Sequence, residues 1–110
     1  MVILGIDPGL AIVGYGVLEY EKSRFRVLDF GAIRTPAGMR TEDRLCKIHR
    51  GMNELIDRYR PSEMAVEELF FVKNITTGIS VAEARGVILL AAREKGLNIG
   101  EYTPMQVKQA

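Results

Sequence analysis

The sequence predicts an α/β fold, a five-stranded mixed sheet with helices packed against it. Three observations predict it. An apolar, β-branched run, Val2 to Ile6, stops at Asp7-Pro8-Gly9, as a strand buried on both faces does when it ends in a turn. Two more strand-like segments follow, separated only by the polar turn Glu21-Lys22-Ser23-Arg24. From Thr41 onward, helical and strand-like segments alternate. The order β-β-β-α-β-α-β-α is a meander followed by α/β crossovers, which builds a mixed sheet.

The second strand spans Ile12 to Tyr20 and carries Gly14 and Gly16, a sign of close backbone approach or a bulge. The third, Phe25 to Arg34, pairs with it as a hairpin, and Thr35-Pro36-Ala37-Gly38 is a loop. Thr41 to Tyr59 is the clearest helix, because Leu45, Ile48, Met52, Leu55, Ile56 and Tyr59 form one apolar stripe. Thr41 is its expected N-cap, Glu42 and Asp43 suit its positive end, and Pro61 closes it. Met64 to Val66 reads as a short buried strand running into Glu67 and Glu68, and Phe70 to Asn74 as a loop. Ile75 to Lys95 reads as a helix stopped by Gly96, Asn98 to Tyr102 as the fifth strand, and Thr103-Pro104 as a helix start.

Composition excludes several classes of function. The 110 residues suffice for one domain, 47% are hydrophobic, and the net charge is +1, so bulk charge neither announces nor excludes nucleic acid. No apolar run approaches the roughly 18 residues of a membrane span, and MVILGIDPG lacks the basic start of a signal peptide. Cys46 and His49 are single, which rules out an intrachain disulfide and a His/Cys zinc site. Any metal must be a hard cation on oxygen ligands, and the expected compartment is the reducing cytoplasm.

Chemistry is concentrated at few positions. Asp7 ends a central strand, where open α/β sheets bind ligands; by spacing alone, a turn aspartate bonding its own backbone is the preferred reading. Glu67 and Glu68 point to opposite faces of a pleated strand. If the first and fourth strands are neighbours, one of them meets Asp7, and two close carboxylates call for a cation, which favours Mg²⁺ or Mn²⁺ and phosphoryl-transfer chemistry. A surface pair answering nearby arginines is the equal alternative. Phe70, Phe71, Lys73 and Asn74 combine aromatic and cationic groups suited to nucleic acid, with Phe70 the exposed candidate and Phe71 core by default. The second helix has apolar residues around more than one stripe and small Ala82 and Gly86 four apart, consistent with packing on the sheet or with a two-fold interface. Arg85 suits an ion pair or a phosphate. The other basic residues, Arg34, Lys47 and Arg50 among them, read first as a solvated face rather than a DNA track.

VILGIDPG, GYGV, AVEELFFVKN, AEARGV and EYTPMQVKQA, in this order and at these separations, resemble the RuvC-type Holliday junction resolvases over essentially the whole chain. The resemblance implies a ribonuclease H-like fold with the first three strands antiparallel. It implies a homodimeric, structure-selective endonuclease that nicks four-way DNA junctions symmetrically with Mg²⁺ or Mn²⁺, two ions per complete site, and works with a branch-migration motor in recombination and repair. It assigns Asp7 and Glu67 as metal ligands and catalytic residues, Phe70 to stacking on unpaired junction bases, and Lys108 to the neighbourhood of the scissile phosphate. Lys73 is a further DNA-contact candidate, and the AEARGV helix is expected at the dimer interface.

The family's remaining two metal ligands lie in a helix well beyond VKQA. The expectation is therefore a single domain over residues 1–110 that lacks its C-terminal catalytic helix and is inactive alone. Glu101 is acidic, but the resemblance gives it no part. Rival readings are a non-catalytic junction- or partner-binding module and a related nuclease on other nucleic acid. An actin-like nucleotide-binding module fits poorly, because Leu10-Ala11-Ile12-Val13 has no Ser, Thr or Lys to meet a phosphate.

Overall fold

Side-chain alternation divides the sheet into two unlike faces. The computed structural model describes residues 1–67 and 75–102. Leu4 and Ile6 of β1 (Val2–Asp7), Val13 and Val17 of β2 (Ile12–Glu21), and Met64 and Val66 of β4 (Glu63–Glu67) are all buried. Together with β3 (Arg24–Arg34) and β5 (Asn98–Tyr102), these strands form one sheet of order β3-β2-β1-β4-β5. β1, β2 and β3 are antiparallel neighbours, whereas β4 runs parallel to both β1 and β5. The mixed sheet expected from the sequence is thus present, and each strand lies within one residue or so of its expected bounds.

Both described helices cover the same face. α1 (Thr41–Tyr59) buries Ile48, Met52 and Ile56, spaced by four, and α2 (Ile75–Glu94) buries Ala84, Ile88, Ala91 and Ala92. These residues join the strand side chains in one core. Burying a side chain such as Ile88 or Met52 contributes roughly 1.5–3 kcal/mol. α1 lies so close to β3 that a Cβ on Gly51 would sit 2.9 Å from Ile33 Cδ1, so a larger residue there would push the helix off the sheet. Polar bridges hold the helices: His49 Nε2 lies 3.1 Å from Glu94 Oε1, Lys95 Nζ donates to Asp57 at 2.9 Å, and the Tyr59 hydroxyl donates to Asp29 at 2.7 Å.

The ends of the helices correct one expectation. Thr41 is the first helical residue of α1, and the N-cap is Arg40, which makes no side-chain capping bond. Arg44 organises this end instead, donating to the carbonyls of Met39 at 3.1 Å and Pro36 at 3.0 Å. α1 ends on Arg60 in the left-handed region, its N–H bonded to Ile56 O, directly before Pro61. Gly96, at φ +80°, turns the chain from α2 toward β5 as expected.

The opposite face carries no described helix. A bulge in β3, between the pairings of Val17 and Leu18, shifts the alternation by one residue. Phe30, Val27 and Phe25 therefore share this face and are 78%, 60% and 65% exposed. Toward its middle, Gly16, Gly5, Ala65 and Gly100 form one row across β2, β1, β4 and β5.

Candidate active site

Register brings the acidic pair together. Ile6 and Val66 are partners on the parallel strands β1 and β4, so Asp7 and Glu67, one step further on, lie side by side at the same ends of neighbouring strands. Ile6 and Val66 point into the core, so alternation turns Asp7 and Glu67 to the open face. The two carboxyls are close enough that each acts on the charge of the other. Partial burial, the largest cause, and the neighbouring Asp7 carboxyl push the Glu67 carboxyl above the ordinary glutamate range.

The surroundings leave the pair accessible. Gly14 of β2 pairs with Asp7, and with Gly5, Gly16 and Ala65 it floors a cleft of about 390 Å³ into which both acids open. The turn after Asp7 is held tightly. A Cβ on Gly9 would run into the Ile12 carbonyl, so the turn requires glycine. Thr35, one of the few buried polar residues, clamps the same turn: its hydroxyl donates to Leu10 O at 2.7 Å and its N–H to Ala11 O at 2.9 Å.

Two oxygen-bearing groups this close fit a hard divalent cation. A cation held between them offsets their mutual repulsion. Among the described residues, no third His, Cys, Asp or Glu joins them. Residues 68–74 hold one further acid, Glu68, and 103–110 hold none.

The structure therefore brings together Asp7 and Glu67. Phe70, Lys73 and Lys108, and also Glu68, lie outside the described residues. Glu101 pairs with Arg85 at 2.8 Å; its strand partner is Val66, so it points to the helix-covered face, away from the acidic pair. The ion-pair reading of Arg85 is the one observed. Sequence reasoning did not single out Thr35 as the clamp, because the 25 residues separating it from Leu10 leave no local pattern. The glycine floor did leave a signal, since Gly14 and Gly16 interrupt an otherwise apolar strand.

A five-stranded mixed sheet of this order, with an acidic pair at the ends of its adjoining parallel strands, defines a ribonuclease H-like domain. Residues 3–110 match the model of the family described as Crossover junction endodeoxyribonuclease RuvC. The chain is similar to the RuvC proteins of Halothermothrix orenii, 56% identical over 110 residues that make up 67% of that protein, and of Clostridioides difficile, 51% identical over 109 residues that make up 64%. It superposes on Thermus thermophilus RuvC in complex with Holliday junction substrate with a TM-score of 0.92 and 37% identity, covering 99% of this chain and 70% of that one. The yeast mitochondrial Holliday junction resolvase Ydc2, at 12% identity and a TM-score of 0.70, shares the fold. The chain belongs to the RuvC family of crossover junction endodeoxyribonucleases, and it spans about two thirds of the length of the relatives it matches.

Proposed function

We propose that this chain carries the first half of the metal site of a structure-selective DNA endonuclease, one that resolves four-way junctions by symmetric nicking in recombination and repair. The observation that carries the proposal is the side-by-side pair of Asp7 and Glu67 on an open, glycine-floored face. These two residues would hold Mg²⁺ or Mn²⁺. A divalent cation bound there would supply Lewis-acid stabilisation of the phosphate and a bound water more acidic than bulk water. Asp7 and Glu67 fix the position of that charge, and the turn clamped by Thr35 fixes Asp7. The glycines of the floor leave room for a phosphodiester to approach both carboxyls.

Two ligands make an incomplete site. Mg²⁺ prefers six oxygens in near-octahedral geometry and binds weakly to few protein groups. The 110 residues alone are therefore proposed to bind metal weakly and to leave junctions uncut. The loop with Phe70 and Lys73 and the segment with Lys108 would contact DNA. α2 supports a two-fold dimer: Ile79 and Leu90 are each 57% exposed, on the side away from buried Ala84 and Ile88. A dimer presents two such sites to the two equivalent strands of a junction. Cooperation with a branch-migration motor, in the cytoplasm, completes the reading. No described helix is long and apolar enough to cross a membrane.

A nicking assay on a four-way junction with Mn²⁺ tests this. The 110-residue chain is expected to bind the junction without cutting it. Cleavage abolished by Asp7→Asn would refute the incompleteness of the site, and a preference for structured RNA over the junction would refute the substrate.

A further inference from the structure

A cleft of about 590 Å³ lies away from the acidic pair, between the end of β3 and the flank of α1. Its charged residues are Arg34, Lys47, Arg50 and Glu54, three positive and one negative. The cleft thus carries a local charge of +2 in a chain whose net charge is +1.

We infer that this cleft binds the phosphodiester backbone of nucleic acid, as a contact surface separate from the metal ligands. The inference rests on the chain being a DNA-binding protein, as proposed above. Several other basic residues are committed elsewhere: Arg26, Arg85 and Lys95 to carboxylates, and Arg44 to the carbonyls before α1. Arg34, Lys47 and Arg50 have no carboxylate within ion-pair distance among the described residues. Lys47, Arg50 and Glu54 share one flank of α1 through spacings of three and four. The close contact of Gly51 with Ile33 fixes the backbone of that flank against β3, so the three cations belong to one patch. β3 is an edge strand, and its outer backbone groups face the same space.

Position supports the same partner. Ala32, which lines the cleft, pairs with Gly14, and Gly14 pairs with Asp7. The cleft and the acidic pair therefore lie at one end of the sheet, two strand spacings or about 10 Å apart at the backbone. Lys47 and Arg50 stand on α1, which covers the face opposite the acidic pair, so DNA contacting both would pass around the β3 edge of the sheet. Point charges on an open cleft read backbone rather than base sequence.

The test is fluorescence-anisotropy binding of the 110-residue chain to a four-way junction and to a plain duplex, over a series of salt concentrations. Each phosphate contact contributes about 0.9 to the slope of log K against log salt. Arg34→Gln, Lys47→Gln and Arg50→Gln together are expected to weaken binding roughly tenfold or more near 0.1 M salt and to lower the slope by about 2–3, for both DNAs alike. Glu54→Gln is expected to tighten binding, and Arg34→Lys with Arg50→Lys to retain most of it, which separates lost contacts from lost folding. An unchanged slope in the triple variant, with the parent chain still binding, overturns the cleft alone. A parent chain that binds neither DNA overturns the cleft and the proposed function together.

Discussion

The two faces of the sheet are built on opposite rules. The helix-covered face presents Leu4, Ile6, Val13, Val17, Met64 and Val66, all buried against α1 and α2. The open face, one residue out of phase on the same strands, presents Gly5, Gly14, Gly16 and Ala65, and then Asp7 and Glu67. Large apolar side chains supply burial on the first face. On the second, small residues forgo burial and leave two repelling carboxyls accessible. The comparison teaches that folding energy and chemistry are carried by alternate residues of the same strands, so one can be altered with little effect on the other.

The largest expected effect lies on the covered face. Met52→Ala or Ile88→Ala should destabilise the chain by about 2–5 kcal/mol in denaturant unfolding, since each leaves a cavity in a close-packed core. Gly51→Leu should approach this cost, because Ile33 already lies against the glycine. A loss below about 1 kcal/mol in the Met52 and Ile88 variants would break the comparison.

Next in size is an open-face change that affects the site and spares the fold. Nothing lies within 4 Å of a Cβ at Gly16, and a Cβ at Gly14 meets only Asp7 Cβ, at 3.6 Å. Gly14→Leu should therefore weaken Mn²⁺ binding several-fold by filling the cleft, while its unfolding free energy stays within about 1 kcal/mol of the parent. Equal losses in stability and in metal binding would show that the faces are not separable.

A smaller effect concerns pH. The folded Glu67 carboxyl holds its proton more firmly than the unfolded one. The stability this contributes is complete below the ordinary glutamate pKa and is lost as pH rises through the raised value. At neutral pH without metal the pair is a liability, and Asp7→Asn should raise Tm slightly, by roughly 1–3 °C. The gain should fade as the solution is acidified through the Glu67 transition, and Mg²⁺ should erase it by stabilising the parent alone. A lower Tm for Asp7→Asn at neutral pH in chelator would contradict the repulsion. Smallest of all, Leu90→Gln should change unfolding by less than about 0.5 kcal/mol in the monomer, while sedimentation shows whether dimer is lost.

Much of this was legible in the sequence, because it is written locally. The stripe from Leu45 to Tyr59 marks α1 at its observed bounds, and Asn98 to Tyr102 is β5 as expected. The Asp7–Glu67 meeting was legible only conditionally. It depends on β1 and β4 being neighbours, which the pattern of either strand does not encode. Non-local devices were not legible: the Thr35 clamp on the turn after Asp7, the His49–Glu94 bridge between helices, and the grouping of Arg34 with Lys47 and Arg50. Thr41 was misread as a cap because its type suits the position, whereas the arginine before it occupies that place.

The most direct test of the central claim is an electron paramagnetic resonance titration of Mn²⁺ into the 110-residue chain, set beside Asp7→Asn and Glu67→Gln. The account predicts one weak class of bound ion in the parent, lost in both variants while their circular dichroism spectra stay unchanged. Mn²⁺ bound equally by the parent and by both variants would contradict it.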